Sequence, residues 1–344
     1  MQPDPPLRPS WLGAARAWRP FAAREAVTIA DVASDDILLD ERTLARLRRL
    51  SLLSGRARTE GLAGEHRSRR RGASPEFADF KRYSQGDDFR RIDWNTYARL
   101  NGLFVRLSEV TTELSVHVLL DSSASMDWRG AGERGTKFTA ARRLTGALAY
   151  IALWGFDRVA IVPFADGLGA GFGPVQGRAQ VVPTLRYLER LQPLGGTALA
   201  TAVANYAFSR SRPGLLLLIS DLLSGEPDDL QAALHDLRGR GWQTAVLHVV
   251  DDEELAPATD TWLDGEAGEF RSGTVELVDR ESGETLRLAP DDEVVSRYRS
   301  AVDDWMVALE AACTAEQSIY ARLSTSWGID DLTVGLLHER GVVA

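Results

Sequence analysis

From Leu114 onward the chain alternates short aliphatic runs with longer amphipathic stretches. The aliphatic runs are LSVHVLL, RVAIVPFA, GLLLLISD and QTAVLHVVD. The stretch TKFTAARRLTGALAYIALWGF carries apolar residues at helical spacing, and one face holds Phe138, Ala141, Leu144, Leu148 and Ile151. Unbroken aliphatic strands separated by amphipathic helices are typical of a mostly parallel sheet covered on both faces. The pattern therefore predicts an α/β fold with a doubly wound, mostly parallel sheet of Rossmann-like topology.

The remaining elements of this region follow from the same periodicities. Further helices are predicted at 179–191, 198–211, 226–241, 291–317 and 330–341, and a last strand at 318–324. The segment at about 261–290 breaks the rhythm, because TVELVD, the turn RESGE and TLRLA have the pattern of a β-hairpin. We interpret it as a β-rich excursion from the α/β domain, which spans 114–344, and it could pack beside strands of 76–113.

The part of the chain before residue 114 has a different character. Residues 1–34 show no clear periodicity and are predicted to be a poorly ordered lead-in, followed by a distinct region at 35–113. In that region the leucine spacing predicts a helix at 40–53, and 76–113 favours turns and short strands. Six arginines lie between Arg56 and Arg71, which fits a solvated loop or a docking patch for an acidic partner.

Composition and charge narrow the classes of function. The 344 residues carry a net charge of -9, which argues against general affinity for nucleic acid or anionic membranes. The one cysteine excludes an internal disulfide framework and fits a reducing compartment. The first residues lack the apolar run of a signal peptide, so none is expected, and the longest apolar run is too short to span a bilayer. We therefore expect a cytoplasmic protein without a membrane span.

Oxygen-bearing side chains follow three of the predicted strands and loops. Asp121 stands where SVHVLL ends, and Ser123 and Ser125 follow at alternate positions. Thr197 follows a glycine pair at the predicted start of a helix, and Asp221 ends the strand GLLLLIS. In doubly wound sheets, ligands bind beyond the carboxyl ends of the strands, so these five side chains are expected to converge.

Two carboxylates and three hydroxyls form an oxygen-only set of the kind that suits Mg²⁺, with Mn²⁺ as a second option. Neutral hydroxyls donate little charge, so a bound ion stays electrophilic and can accept a carboxylate from another molecule. The alternative is a purely structural role, in which Asp and Ser act only as turn and cap residues. The hypothesis is a metal site at Asp121, Ser123, Ser125, Thr197 and Asp221.

These blocks resemble the metal-ion-dependent adhesion site of the von Willebrand factor A fold. A longer resemblance covers most of the chain: HRSRRRGASPEFADFKRYSQGDDFRRIDWNTYAR, LFVRLSEVTTELSVHVLLDSSASM, GTVELVDRESGETLRLAP and YARLSTS are similar to the bacterial "domain of unknown function 58" family. The resemblance implies a von Willebrand A-like domain and frequent genomic association with MoxR-type AAA+ ATPases, which are regarded as chaperone-like. From the residues we expect a non-enzymatic interaction protein whose ion accepts an acidic side chain from a partner or client. The resemblance alone implies that it is an adaptor of such an ATPase. Some relatives carry N-terminal membrane helices, and this sequence shows none.

Two enzyme classes compete with this interpretation. Asp121 could act as a phosphotransferase nucleophile, but such sites need a second acid nearby, and the alternate positions are serines. Metal-dependent hydrolysis could use the acids of the segment 76–93, although lysine and arginines interleave them and favour a structural role. These acids are Glu76, Asp79, Asp87, Asp88 and Asp93. A third class is a scaffold that binds no metal.

Three further reactive side chains are expected to be structural. Cys313 shares a helical face with Val302, Trp305, Met306 and Leu309, so it is predicted to lie in the core. His117 and His248 lie inside strand patterns and are expected to be buried. No phosphate-binding glycine motif of the Gly-x-x-x-x-Gly-Lys or Gly-x-Gly-x-x-Gly type is present, so nucleotide binding has no support.

Overall fold

The computed structural model describes about two thirds of the chain. The described residues are 38–53, 80–84, 89, 92–100, 102–106, 113–129, 135–210, 212–255, 275–278, 285–288, 292–328 and 335–344. The predicted lead-in at 1–34 and the basic segment Arg56–Arg71 lie outside these residues.

A six-stranded sheet forms the centre of the protein. Its strands are β3 (Ser115–Asp121), β4 (Arg158–Phe164), β5 (Phe172–Gln176), β6 (Leu215–Ser220), β7 (Gln243–Val250) and β10 (Ile319–Ser324). The spatial order is β10-β7-β6-β3-β4-β5, in which β5 runs antiparallel to β4 and every other pair is parallel. Because the chain moves from β3 to β4 on one side and returns to β6 on the other, the winding reverses between β3 and β6.

Two small antiparallel pairs and nine α-helices accompany this sheet in the described residues. The pairs are β1 (Phe80–Arg82) with β2 (Phe104–Arg106), and β8 (Val275–Val278) with β9 (Thr285–Leu288). The helices are α1 (Glu41–Leu47), α2 (Trp94–Leu100), α3 (Lys137–Trp154), α4 (Val181–Glu189), α5 (Leu199–Ser209), α6 (Pro227–Gly239), α7 (Asp252–Leu255), α8 (Asp292–Ala315) and α9 (Leu337–Glu339).

The core is divided between the two faces of the sheet. Successive residues of a strand point to opposite faces, and β3 contributes Val116, Val118 and Leu120 to one cluster and Leu119 to the other. The first cluster contains the buried face of α3, including Leu144, Leu148 and Ile151. The second contains residues of α5, α6 and α8. This two-sided burial explains why the strands are continuously aliphatic.

Helix α3 is held closely against its neighbours. Thr136 caps its start by accepting a hydrogen bond from the Thr139 backbone N–H at 3.2 Å. Farther along, Gly146 packs so tightly that a Cβ there would lie 3.1 Å from Leu185 Cδ2 of α4. The helix is therefore fixed both at its first turn and near its middle.

The mixed α/β fold and the elements of 114–344 largely follow the sequence prediction. In the segment predicted to form a hairpin, β8 and β9 pair antiparallel. In the described part of the chain this pair and β1–β2 are separate sheets. The helix predicted at 40–53 is shorter and ends at Leu47. Beyond it, Leu52 forms an antiparallel bridge with Val343, and Leu38, Leu39, Leu47 and Leu52 join the main core.

Strand β5 was not predicted, and it lies at the sheet edge with mostly exposed residues. None of the described helices is both long enough and apolar enough to cross a membrane.

Candidate metal centre

The loop after β3 gathers its oxygen atoms by local hydrogen bonding. Asp121, the last residue of β3, is fully buried, and its Oδ1 accepts a hydrogen bond of 3.0 Å from the Ser123 backbone N–H. A short 3-10 helix, Ala124–Asp127, follows and turns the chain back. The hydroxyl oxygens of Ser123 and Ser125 lie 3.0 Å apart. The loop thus directs both hydroxyls to one point beside the carboxylate.

That spacing fits a small divalent cation. Neighbouring ligands of an octahedral Mg²⁺ ion, at bond lengths of about 2.0–2.1 Å, are about 3 Å apart. The Ser123 and Ser125 oxygens match this edge as they stand. Asp121 contributes the negative charge that such an ion requires, so the residues present fit the group.

The end of β6 forms the other side of the centre. Ser220, its last residue, donates a hydrogen bond of 2.5 Å to Asp121 Oδ2, which ties the two strand ends together. Asp221 follows and is buried, and its Oδ1 accepts from the Leu223 backbone N–H at 3.2 Å. Between them Leu222 has a φ of 55°, a left-handed conformation that is uncommon for a branched apolar residue. Such backbone strain is concentrated at functional sites.

A buried lysine, Lys137, forms an ion pair with Asp221. The Lys137 ammonium donates to Asp221 Oδ2 at 2.7 Å and to both carboxylate oxygens of Glu254 at 2.9 Å. The Lys137 side chain is fully buried, and that of Asp221 is nearly so. The two strand-end carboxylates are therefore in different electrostatic states, because Asp221 is paired with a cation. In the described part of the chain Asp121 has no ion-pair partner.

The pKa values follow from these surroundings. Burial and then the nearby charge of Asp221 raise the pKa of Asp121 to about 7, although hydrogen bonds from Ser220 and Ser123 oppose the rise. Burial lowers the pKa of the Lys137 ammonium, but Asp221 and Glu254 outweigh it and raise the pKa above its ordinary value. Burial also raises the pKa of Glu254, against the opposing effect of Lys137.

Thr197 lies in the loop that covers the β3 loop. The Leu194 backbone N–H donates to Ser122 O at 2.7 Å, and the Ala124 N–H donates to Gly195 O at 2.8 Å. Gly195 has a φ of +87°, and a Cβ at this position would lie 2.7 Å from Asp166 Oδ2, so the close approach requires glycine. Thr197 itself is half-buried, two residues before α5 begins.

The structure thus brings Asp121, Ser123 and Ser125 together and places Asp221 beside them through Ser220. Sequence analysis missed Lys137, Ser220 and Glu254. A lysine in the first turn of a predicted helix runs against the helix dipole, and that anomaly was the available signal for Lys137. Nothing in the run DDEEL distinguishes Glu254.

Several other sequence predictions have outcomes in the structure. Cys313 is fully buried in the core, and His117 and His248 are buried, as expected. Asp93 accepts a hydrogen bond of 2.9 Å from the Thr96 backbone N–H at the start of α2, which is a structural role. Glu76, Asp79, Asp87 and Asp88 lie outside the described residues.

Over the residues that the structure describes, no group of three or more His, Cys, Asp or Glu side chains could hold a metal ion. The candidate centre depends on hydroxyl oxygens in addition to its two carboxylates. Beside it lies a pocket of about 270 Å³ whose lining includes Asp221, Leu223, Glu254 and Trp305. Two leucines here are exposed: Leu194, beside the loop after β3, is 71% exposed, and Leu223, in the pocket lining, is 49% exposed.

Comparison with known proteins gives both a family and individual relatives. The family described as "Protein of unknown function DUF58" matches residues 79–306. "Uncharacterized protein Rv1480" of Mycobacterium tuberculosis (strain ATCC 25618 / H37Rv) and "Uncharacterized protein Mb1516" of Mycobacterium bovis (strain ATCC BAA-935 / AF2122/97) are each 29% identical over 246 residues. That stretch is 69% of this chain and 75% of each relative.

Two solved structures show weaker likeness. The conserved hypothetical protein BatB from Bacteroides thetaiotaomicron is 18% identical with a TM-score of 0.39, over 66% of this chain and 98% of that one. The manganese-loaded TRAP protein of Plasmodium vivax is 14% identical with a TM-score of 0.30, over 40% of this chain and 57% of that one. The fold described above rests on its own strand order.

Proposed function

This chain belongs to the DUF58 family, and from that premise we propose that it is a non-enzymatic, Mg²⁺-dependent protein-interaction module with a von Willebrand factor A-like domain. Asp121, Ser123 and Ser125 would hold the ion, and Thr197 and Asp221 would complete the shell or hold its water molecules. Mn²⁺ would serve in place of Mg²⁺, because both are oxygen-seeking divalent ions.

The state of Asp121 is the observation that carries this proposal. A carboxylate in the protein interior is unfavourable unless a cation or enough hydrogen bonds compensate it. Asp121 is fully buried and accepts hydrogen bonds from Ser123 and Ser220, while the described residues offer it no cation. Two hydroxyl oxygens with the spacing of Mg²⁺ ligands lie beside it. An external cation would supply the missing charge.

The position of the centre in the fold supports the same conclusion. It lies at the carboxyl ends of β3 and β6, where the winding of the sheet reverses and ligands bind in open α/β sheets. The exposed leucines Leu194 and Leu223 stand next to it. Exposed apolar side chains around a polar centre favour a protein partner over a small polar substrate.

The ion would supply one electrophilic position to an acidic side chain of the partner. Ser123 and Ser125 orient that position, because the 3-10 helix and the Ser122 and Ala124 backbone contacts fix their loop. Hydroxyl ligands leave the ion more charge than carboxylates would. This chain's contribution is therefore to position and expose a cation rather than to transfer a group.

The partner is proposed from family resemblance. A MoxR-type AAA+ ATPase, a client protein, or both would supply the acidic ligand, and this protein would act as adaptor or substrate-recognition component of a chaperone-like assembly. This assignment rests on analogy between family members.

Thermal unfolding with increasing Mg²⁺ or Mn²⁺ tests the metal site. An ion that binds only the folded state stabilises it by about 2.7 kcal/mol at one hundred times the dissociation constant. We expect the native chain to gain stability and the Asp121→Ala variant to gain none. Asp303→Ala, which removes an exposed carboxylate from α8, is the matched control and should respond like the native chain.

Equal responses of the native chain and Asp121→Ala would reject the site. An absence of response in every chain would favour a scaffold without metal. Turnover of a phosphate ester that disappears in Asp121→Asn would instead establish an enzyme.

A further inference from the structure

Lys137 is in an unfavourable position for a lysine. It is the first residue of the 18-residue helix α3, where the helix dipole places partial positive charge. Its side chain is also fully buried, which removes the ammonium from water. Only charged partners can offset both costs, and Asp221 and Glu254 provide them.

The Lys137 ammonium uses all of its donors on two carboxylates, Asp221 and Glu254. A lysine ammonium has three donors, and those of Lys137 reach one oxygen of Asp221 and both oxygens of Glu254. The second oxygen of Asp221 accepts from the Leu223 N–H. Asp221 therefore has a cation and a donor already in place, whereas Asp121 has donors alone.

The ionised side chains of the centre carry two more negative charges than positive charges. Asp121, Asp221 and Glu254 carry three negative charges when ionised, and Lys137 returns one positive charge. A divalent cation at Asp121 balances the remainder without displacing the lysine. Without Lys137 the three negative charges would be uncompensated, and Asp221 would be available as a second carboxylate ligand.

We propose that Lys137 is a built-in cation that withholds Asp221 from direct coordination of the metal, so that Asp221 can act on the ion only by holding its water molecules. This inference rests on the proposed metal-binding function and specifies how that site is regulated. The ion then has one strand-end carboxylate and the serine hydroxyls, so the isolated chain binds it weakly. The low ligand charge keeps the ion open to the carboxylate of a partner.

Calorimetric titration of the purified chain with MnCl₂ tests this role. Lys137→Met frees Asp221, and we expect Mn²⁺ to bind at least tenfold more tightly than to the native chain. Lys137→Arg keeps the positive charge and should not tighten binding. Circular dichroism and thermal unfolding establish that each variant is folded.

Two charge-matched double variants separate direct coordination from general electrostatics. Lys137→Met/Glu254→Gln and Lys137→Met/Asp221→Asn both keep the net charge of the native chain. The first retains Asp221 and should keep the tenfold gain, while the second should return to native affinity or below. The first also removes one carboxylate left without its lysine, so it remains informative if Lys137→Met alone does not fold.

The outcomes distinguish this inference from the function beneath it. If the native chain binds Mn²⁺ and both double variants bind it equally, the role of Lys137 is overturned while the metal site stands. If no chain binds Mn²⁺ at millimolar concentration, both the site and the role of Lys137 are overturned.

Discussion

The ammonium nitrogen of Lys137 lies 2.7 Å from Oδ2 of Asp221 although 84 residues separate them in the chain. This buried ion pair lies at the carboxyl end of β6. At the equivalent position of the neighbouring strand β3, Asp121 has hydroxyl and amide donors instead. Two aspartates at adjacent strand ends therefore have different tasks. In the proposed function Asp121 takes an external cation, whereas Asp221 already has an internal one.

Replacing Asp121 with Asn should stabilise the metal-free protein. The pKa of Asp121 is raised to about 7 in the folded state. Above that pH the folded protein must hold a buried carboxylate that is less stable there than in the unfolded chain, which lowers the free energy of unfolding. Asn has the same shape, can accept from the Ser123 N–H and can pair with the Ser220 hydroxyl. We expect a higher free energy of unfolding for Asp121→Asn at pH 8 in chelator, measured by urea denaturation. At pH 5 the difference should shrink, because the native aspartate is then protonated when folded. A less stable variant at pH 8 would contradict this account.

Replacing Asp221 with Ala should weaken partner binding without unfolding the domain. The Lys137 ammonium keeps Glu254, so we expect a stability cost of about 3 kcal/mol, the lower end for breaking a buried pair. Co-purification with a MoxR-type ATPase in Mg²⁺ should fall well below that of the native chain. Asp303→Ala supplies the comparison, and an Asp221→Ala chain that captures the ATPase fully would overturn the prediction.

His117 should make the protein less stable in mild acid. Burial, followed by the charge of Arg210, lowers the pKa of His117 from 6.5 to about 4. The unfolded chain therefore binds an extra proton between these values, so this contribution is complete above pH 6.5 and is lost as the pH falls toward 4. The loss amounts to about 2 kcal/mol between pH 7 and pH 5.

The comparison is with His117→Gln. Between pH 7 and pH 5 its free energy of unfolding should fall by about 2 kcal/mol less than that of the native chain. His338→Gln, at an exposed position, should keep the native pH dependence. Parallel curves for all three chains would show that His117 is not the group responsible.

Cys313 should resist thiol reagents until the protein unfolds. Burial and then the charge of Glu310 raise the pKa of its thiol to about 12, and the side chain is fully buried. Because the chain has one cysteine, a thiol-reactive chromophore reports on it alone. We expect labelling in native buffer at the rate of unfolding, and rapid labelling in denaturant. Thr201→Cys in a Cys313→Ala chain provides an exposed thiol, which should react at once.

The sequence predicted the scaffold well because burial on both faces of a parallel sheet leaves continuous aliphatic strands. Strands β3, β6 and β7 are buried along almost their whole length, and their boundaries match the aliphatic runs closely. Strand β5 has the opposite character, because it lies at the edge, is largely exposed and has glycine and proline in its interior. Its pairing with β4 depends on long-range hydrogen bonds that leave no periodicity.

The candidate centre was predictable only where neighbouring residues form it. The Asp121 to Ser125 spacing is local, and the turn that joins these residues is built from their own hydrogen bonds. Lys137 and Glu254 reach the centre from distant parts of the chain, so only the fold shows that they meet. The helix predicted beyond Leu47 ends early because Leu52 pairs with Val343 as extended chain instead.

Gly146 lies on the same helix as Lys137 but far from the candidate centre. It lies nine residues along α3 from Lys137, or about 14 Å along the axis, at the place where the helix meets Leu185 most closely. A larger side chain there would push the whole rod along or away from α4, and the lysine at its tip would move with it. A larger side chain at Gly146 is therefore expected to disturb the contact between Lys137 and Asp221, although no ligand touches that position.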